Sequence, residues 1–160
     1  MSPASKALLV AAAYLLGAVP FGLVLTRRVT GKDVRSVGSG NIGASNVVRA
    51  AGKKIGALTL VLAASKAALP MLATRALLAG EGPAAAQRWM VAVGLAAFLG
   101  HLYPIWLRFK GGKGVATALG VFVVLAPIPT VLAAGLFAAA FATTRVPAIG
   151  SLAGSSVACL

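Results

Sequence analysis

The chain has 160 residues, 59% hydrophobic and 11% charged, with a mean hydropathy of +0.95. Its apolar residues come in long blocks rather than at core spacing, which excludes a soluble domain and marks membrane spans. Fifteen Lys and Arg against Asp33 and Glu81 give a net charge of +13. These cations lie in short loops between apolar blocks, so topology and anionic head groups or substrates explain them better than nucleic acid does.

In chain order, residues 7–26 make a first span of about the twenty residues a bilayer requires. Lys6 ahead of an apolar run resembles a secretory signal, but the run is long and Arg27, Arg28, Lys32 and Arg35 follow it. The positive-inside rule then puts the N-terminus outside and the next loop in the cytoplasm. Pro20 and Gly22 suggest a kink near the cytoplasmic end.

That loop contains SVGSGNIGASNVVR, from Ser36 to Arg49. Gly38, Gly40 and Gly43 let the backbone turn tightly and present N–H groups. Ser36, Ser39, Asn41, Ser45 and Asn46 add side-chain donors, and Arg49 adds a two-pronged cation suited to phosphate. With no carboxylate in the stretch, the combination suits an oxyanion. The alternative is a solvated loop joining two spans.

Residues 55–78 form a second span with Lys66 in its middle, a residue that should face the bundle interior or water. Gly80, Glu81, Gly82 and Pro83 form an outer turn, and residues 84–100 return to the cytoplasm. The next polar stretch, His101 to Thr117, reads HLYPIWLRFKGGKGVAT. Tyr103 and Trp106 suit the interfacial aromatic belt. Gly111, Gly112 and Gly114 flank Lys113 where a new helix begins, beside Lys110: free N–H groups, a favourable dipole and mobile cations. It is not a Walker A loop, because Gly114 follows Lys113. Charge anchoring for Lys110 and Lys113, and interfacial hydrogen bonding for His101, are the simpler readings.

From Val115 to Ala142, Pro127 and Pro129 interrupt the apolar run, which predicts helices over 115–126 and 130–142. Thr143 to Arg145 returns to the cytoplasm, and residues 149–160 start a segment too short to span. Cys159, the single cysteine, can form neither a disulfide nor a thiolate metal cluster within the chain. The expected architecture is all-α and polytopic: about five transmembrane helices and a partial sixth, in one domain over residues 1–160.

SVGSGNIGASNVVRAAGKKIG and GHLYPIWLRFKGGKGVATALG resemble the first two signature motifs of the PlsY family, the bacterial acyl-phosphate:glycerol-3-phosphate acyltransferases. LLGAVPFGLVL is similar to that family's first helix, and the resemblance runs from about Leu8 to about Ser151. It implies a multi-pass enzyme of the bacterial inner membrane with its active site facing the cytoplasm. Such an enzyme moves a fatty acyl group from acyl phosphate to the 1-hydroxyl of glycerol 3-phosphate, giving lysophosphatidate and phosphate. No metal or cofactor is implied; functional coupling to the enzyme making acyl phosphate is. Carried over, Ser36, Asn41, His101 and Lys113 are the candidate catalytic residues. Gly38, Ser39, Gly40, Gly43, Ser45, Asn46, Arg49, Lys110, Gly111, Gly112, Gly114, Thr117 and Ser151 are the candidate substrate-binding set.

The chain departs from the family pattern in three places. Ser45 replaces a threonine, Ala63 stands where an acid precedes the lysine of the second helix, and the third motif is not within these 160 residues. A shortened, catalytically impaired family member is therefore one alternative. A transporter of phosphorylated metabolites is another, although no internal repeat is visible and both motifs fall at one membrane face.

The residue types themselves favour direct attack by the substrate hydroxyl on an already activated acyl phosphate, with positioning and charge stabilisation as the main terms. No Ser/His/Asp arrangement is available, and the proton acceptor is either His101 or the donor phosphate.

Overall fold

The computed structural model describes residues 1–144, and every element in that range is helical. The segment expected over 149–160, with Ser151, lies outside the described residues. Residues 1–121 form one compact unit, and a second unit begins at Phe122.

Helix α1 (Pro3–Gly17) opens with Pro3 in its first turn, and the Ser2 hydroxyl accepts from Ser5 N. The first span is broken rather than continuous. The ladder ends with Ala18 N donating to Tyr14 O and Val19 N to Leu16 O, because Pro20 has no N–H with which to continue it. Helix α2 (Phe21–Thr30) follows, closed by Gly31 in the left-handed conformation at φ 72°.

Helix α3 (Ala44–Leu77) starts eleven residues before the span expected at Ile55, so residues 44–51, expected as loop, are helical. Its two helical parts meet at Gly52, whose φ of 86° and ψ of 169° are non-helical, and Pro70 lies within the second. A 3-10 turn at Ala79–Glu81 leads to α4 (Pro83–Leu102). The Glu81 carboxylate accepts from the N-terminal amine and from Lys6 Nζ, so the start of α1 and this turn share one end of the unit.

Helices in lipid gain little from mutual hydrophobicity and associate through close van der Waals contact, which small residues permit. A side chain at Gly17 would run into the Ala97 backbone, and one at Gly100 into Tyr14 O and Ala18 N, so α1 and α4 touch backbone to backbone. Gly120 meets the Ala64 backbone in the same way.

Helix α5 (Val115–Leu125) gives way to α6 (Pro127–Thr144). The second helix was expected from residue 130; it begins three residues earlier because Pro127 fits a first helical turn, where no N–H is needed. Among the described residues, four helical stretches are long and apolar enough to cross a membrane: Pro3–Thr30, Ala44–Leu77, Pro83–Leu107 and Pro127–Thr144. Val115–Leu125 is apolar but shorter.

Candidate active site

The first polar loop is built by its own side chains. Asp33 caps a 3-10 turn at Val34–Ser36, its carboxylate accepting from Arg35 N at 2.9 Å and from the Arg35 guanidinium at 2.6 Å. Those bonds hold the Asp33 carboxyl at about 2 and raise Arg35. The Ser36 hydroxyl donates to Asp33 O at 2.8 Å, and Asn41 Oδ1 accepts from Gly43 N at 2.9 Å. Gly38 and Gly40 take positive φ, 54° and 68°, where the chain reverses.

Asn46 sits fully buried at the centre. Its amide nitrogen donates to Val34 O, Val37 O and Asn41 O, each at 2.9 Å, and its oxygen accepts from Ser39 N at 3.1 Å. Asn46 was expected to line the pocket; the structure places it under the loop. Its polar atoms are all engaged by the loop backbone, and the residue holds the shape of the loop.

Ser45 and Arg49 are exposed and four residues apart, hence on one face of the first segment of α3. Gly43 caps that segment, whose N-terminus carries partial positive charge. The Arg49 stem crosses close to Gly38, where an added side chain would meet Arg49 Cδ at 3.3 Å and Asn46 Oδ1 at 2.6 Å.

The second loop hangs from the end of α4. Tyr103 O accepts from Tyr14 of α1 at 2.7 Å, and a 3-10 turn follows at Ile105–Leu107. Arg108 and Phe109 take left-handed φ values of 51° and 61°. Gly111 N donates to Leu102 O at 3.0 Å and Gly112 N to His101 O at 3.1 Å. Those amides close the last turn of α4, which corrects the expectation that they are free for an anion. Lys110 and Lys113 are exposed and form no ion pair among the described residues. His101 is 8% exposed under the turn, its Nε2 against Gly112 and its Nδ1 without a partner; Thr117 Oγ1 is likewise buried and unpartnered.

One apolar contact joins the two loops. Leu23 of α2, Val34, Ile42 and Val47 form a buried cluster beneath the first loop, and Leu107 of the second loop packs against it. Leu107 was not singled out from the sequence; its signal is an aliphatic residue between Trp106 and Arg108 in an otherwise polar stretch. Gly22 was expected only to mark a kink, and Thr26 was not singled out. Gly22 lets α2 approach Ile42 O, and Thr26 is fully buried.

The chain's two acids are both occupied by cations, Asp33 by Arg35 and Glu81 by Lys6 and the N-terminus. The arrangement is a cationic, glycine-shaped surface at one end of a helical bundle, able to hold phosphate groups beside an apolar interior.

The family described as Glycerol-3-phosphate acyltransferase matches residues 7–160. A protein of that name from Anaeromyxobacter sp. (strain K) is 57% identical over 151 residues, which cover 94% of this chain and 74% of the relative. The Myxococcus xanthus (strain DK1622) protein of the same name is 54% identical over 94% of this chain and 76% of its own length. Among solved structures, PlsY (YgiH), described as an integral membrane glycerol 3-phosphate acyltransferase, matches in its glycerol 3-phosphate form. The TM-score is 0.82 at 39% identity, covering 96% of this chain and 74% of that one. Its lysophosphatidic acid form matches with a TM-score of 0.78 at 37% identity. Sequence and fold agree that this multi-pass membrane protein belongs to the glycerol-3-phosphate acyltransferase family.

Proposed function

We propose that the chain transfers a fatty acyl group from an acyl phosphate to the 1-hydroxyl of glycerol 3-phosphate, giving lysophosphatidate and inorganic phosphate. The reaction belongs to one integral-membrane domain over residues 1–160, on the cytoplasmic face of the bacterial inner membrane. The observation that carries this reading is the junction of two cationic loops through Leu107, with no unpaired carboxylate to compete for their charge. The solved relative supports the acceptor, since its two forms are described by glycerol 3-phosphate and by the lysophosphatidic acid product.

In this scheme the glycerol 3-phosphate phosphate lies between Arg49 and the N-terminus of α3, with Ser39 and Ser45 as further donors. Gly38 and Gly40 admit it, and Ser36, Asn41 and Asn46 keep the cradle in shape through their bonds to backbone. Lys110 and Lys113 hold the donor phosphate. The acceptor hydroxyl attacks the acyl carbon, the C–O bond to phosphate breaks, and the electron pair leaves on phosphate. Because an acyl phosphate is already activated, positioning and charge stabilisation supply the main rate terms. His101 is enclosed beneath Gly112, so the hydroxyl proton passes to a donor phosphate oxygen and His101 supports the loop.

The test uses the purified chain in lipid vesicles with labelled glycerol 3-phosphate and palmitoyl phosphate. Lysophosphatidate should form, and Arg49→Ala should reduce the rate on the order of a hundredfold or more by removing charge-assisted bonds. Arg49→Lys should recover part of the loss, because a point charge cannot reproduce bidentate geometry. Near-normal turnover by Arg49→Ala would remove Arg49 from the site. A requirement for acyl coenzyme A would overturn the donor.

A further inference from the structure

Lys66 is 3% exposed in the middle of α3, and Ala63, one turn earlier, offers it no carboxylate. Its Nζ donates instead to Gly17 O, and to Val19 O at 3.1 Å. These two carbonyls flank the break between α1 and α2, where Pro20 interrupts the ladder. Val19 O also accepts from Phe21 N at 3.1 Å, whereas Gly17 O has lost its helical donor; in a membrane interior no bulk water is present to satisfy it, and lysine brings three donors. A cation at a helix C-terminus also meets the negative end of the helix dipole. The carbonyls cannot retreat towards α4, because the Gly17 and Gly100 backbones already touch there.

What depends on this break is the direction of α2. Five residues beyond Gly17, Gly22 lies against Ile42 O, and an added side chain would also meet Val47 Cγ2 at 3.0 Å. Leu23 completes the cluster with Val34, Ile42 and Val47 on which the first loop rests. A continuous chain of contacts therefore runs from Lys66 Nζ through the break and α2 to residues 42–47, and from there to Asn46 and Arg49.

We infer that Lys66 is a positioning residue for the transfer reaction: it holds the α1–α2 break, and α2 so held fixes the loop that receives glycerol 3-phosphate. The inference rests on the assignment of that loop made above. It gives the buried lysine a role that needs neither contact with substrate nor an acidic partner.

Lys66→Met keeps the length of the side chain and removes the donors. Measured per folded enzyme, its KM for glycerol 3-phosphate should rise about tenfold while KM for acyl phosphate stays within about twofold. Lys66→Arg, which retains donors and charge, should restore most of the affinity. Gly22→Ala disturbs the other end of the same relay and should give the same one-sided KM change. The double variant Lys66→Met/Gly22→Ala should be less than additive, as expected for coupled residues. A merely structural lysine would lower yield and thermal midpoint while leaving both KM values unchanged, and that result overturns the inference. So does full additivity.

Hydrogen exchange of the same proteins in detergent separates this from the substrate assignment. Lys66→Met should lose protection in residues 21–30 and 36–43 together, with α4 unaffected. If the wild type makes no lysophosphatidate, the substrate assignment fails while the exchange pattern still decides what Lys66 holds. Loss confined to α3 would refute the relay.

Discussion

Asn46 has two amide hydrogens and one amide oxygen, and four backbone groups compete for them. No other side chain of similar size both donates twice and accepts. Asn46→Asp keeps the shape but leaves Val34 O, Val37 O and Asn41 O without their donor, and adds negative charge to an anion site. Each unsatisfied buried group costs about 1–3 kcal/mol, so Asn46→Asp should cost at least about 2 kcal/mol in thermal stability and abolish lysophosphatidate synthesis. Wild-type activity in the aspartate variant would refute this account. Asp33 behaves differently, because Arg35 holds its carboxyl at about 2, below the ordinary 3.8. A depressed carboxylate contributes its stabilisation above the unfolded value and loses it as pH falls through the folded one. The thermal midpoint of Asp33→Asn should therefore lie below that of the wild type by a constant margin between about pH 5 and 8, and the margin should close as pH falls below about 4; a margin that widens in acid would refute this reading. Residue type in the sequence announced donors at positions 36–46, but not which of them the backbone would claim. That allocation depends on how Val34, Val37 and Asn41 come together in space.

At the scale of elements, the breaks at Pro20 and Pro127 were legible from the missing N–H, although Pro70 lies inside α3 without ending it. Pro20 ends α1, and Pro127 separates α5 from α6. Gly52 was not legible, because a glycine inside a helical pattern is tolerated and signals nothing definite. It nevertheless turns α3, leaving the eight residues 44–51 as a separate segment that carries Ser45, Asn46 and Arg49. The space around Gly52 is open, so Gly52→Ala adds no clash and tests backbone conformation alone. A non-glycine residue at φ 86° costs on the order of 1–3 kcal/mol, which the helix escapes by straightening. Straightening swings Arg49 away from Gly38. Gly52→Ala should thus raise KM for glycerol 3-phosphate about tenfold with little loss of α-helical circular dichroism, since about 1 Å of misplacement can cost a hundredfold in rate. Unchanged kinetics would mean that the bend plays no part in the site. The glycines at 111 and 112 teach a related lesson: a Gly-Gly pair beside lysines suggested free amides, whereas the carbonyls of the preceding helix had the nearer claim.

For the whole molecule, charge decides orientation. Arg27, Arg28, Lys32, Arg35, Arg49, Lys53, Lys54, Arg108, Lys110 and Lys113 all cluster around the two loops, ten of the chain's fifteen cations. The opposite end, marked by the contact of Glu81 with Lys6 and the N-terminal amine, carries both signs and no such excess. Cationic loops of this length stay on the cytoplasmic side during insertion, so the loops should face the cytoplasm and the N-terminus and Glu81 the outside. The same orientation suits the chemistry, because a negatively charged, water-soluble acceptor then reaches the site from the cytoplasm. With Cys159 replaced by serine, Gly80→Cys should react with a membrane-impermeant maleimide on intact cells, whereas Ser45→Cys and Lys32→Cys should react only after permeabilisation. All three positions are exposed, so failure to label reports the barrier and not burial. Labelling of Ser45→Cys on intact cells would place both loops outside and invert the topology. It would also deny the site its cytoplasmic substrate, and the proposed reaction would fall with it.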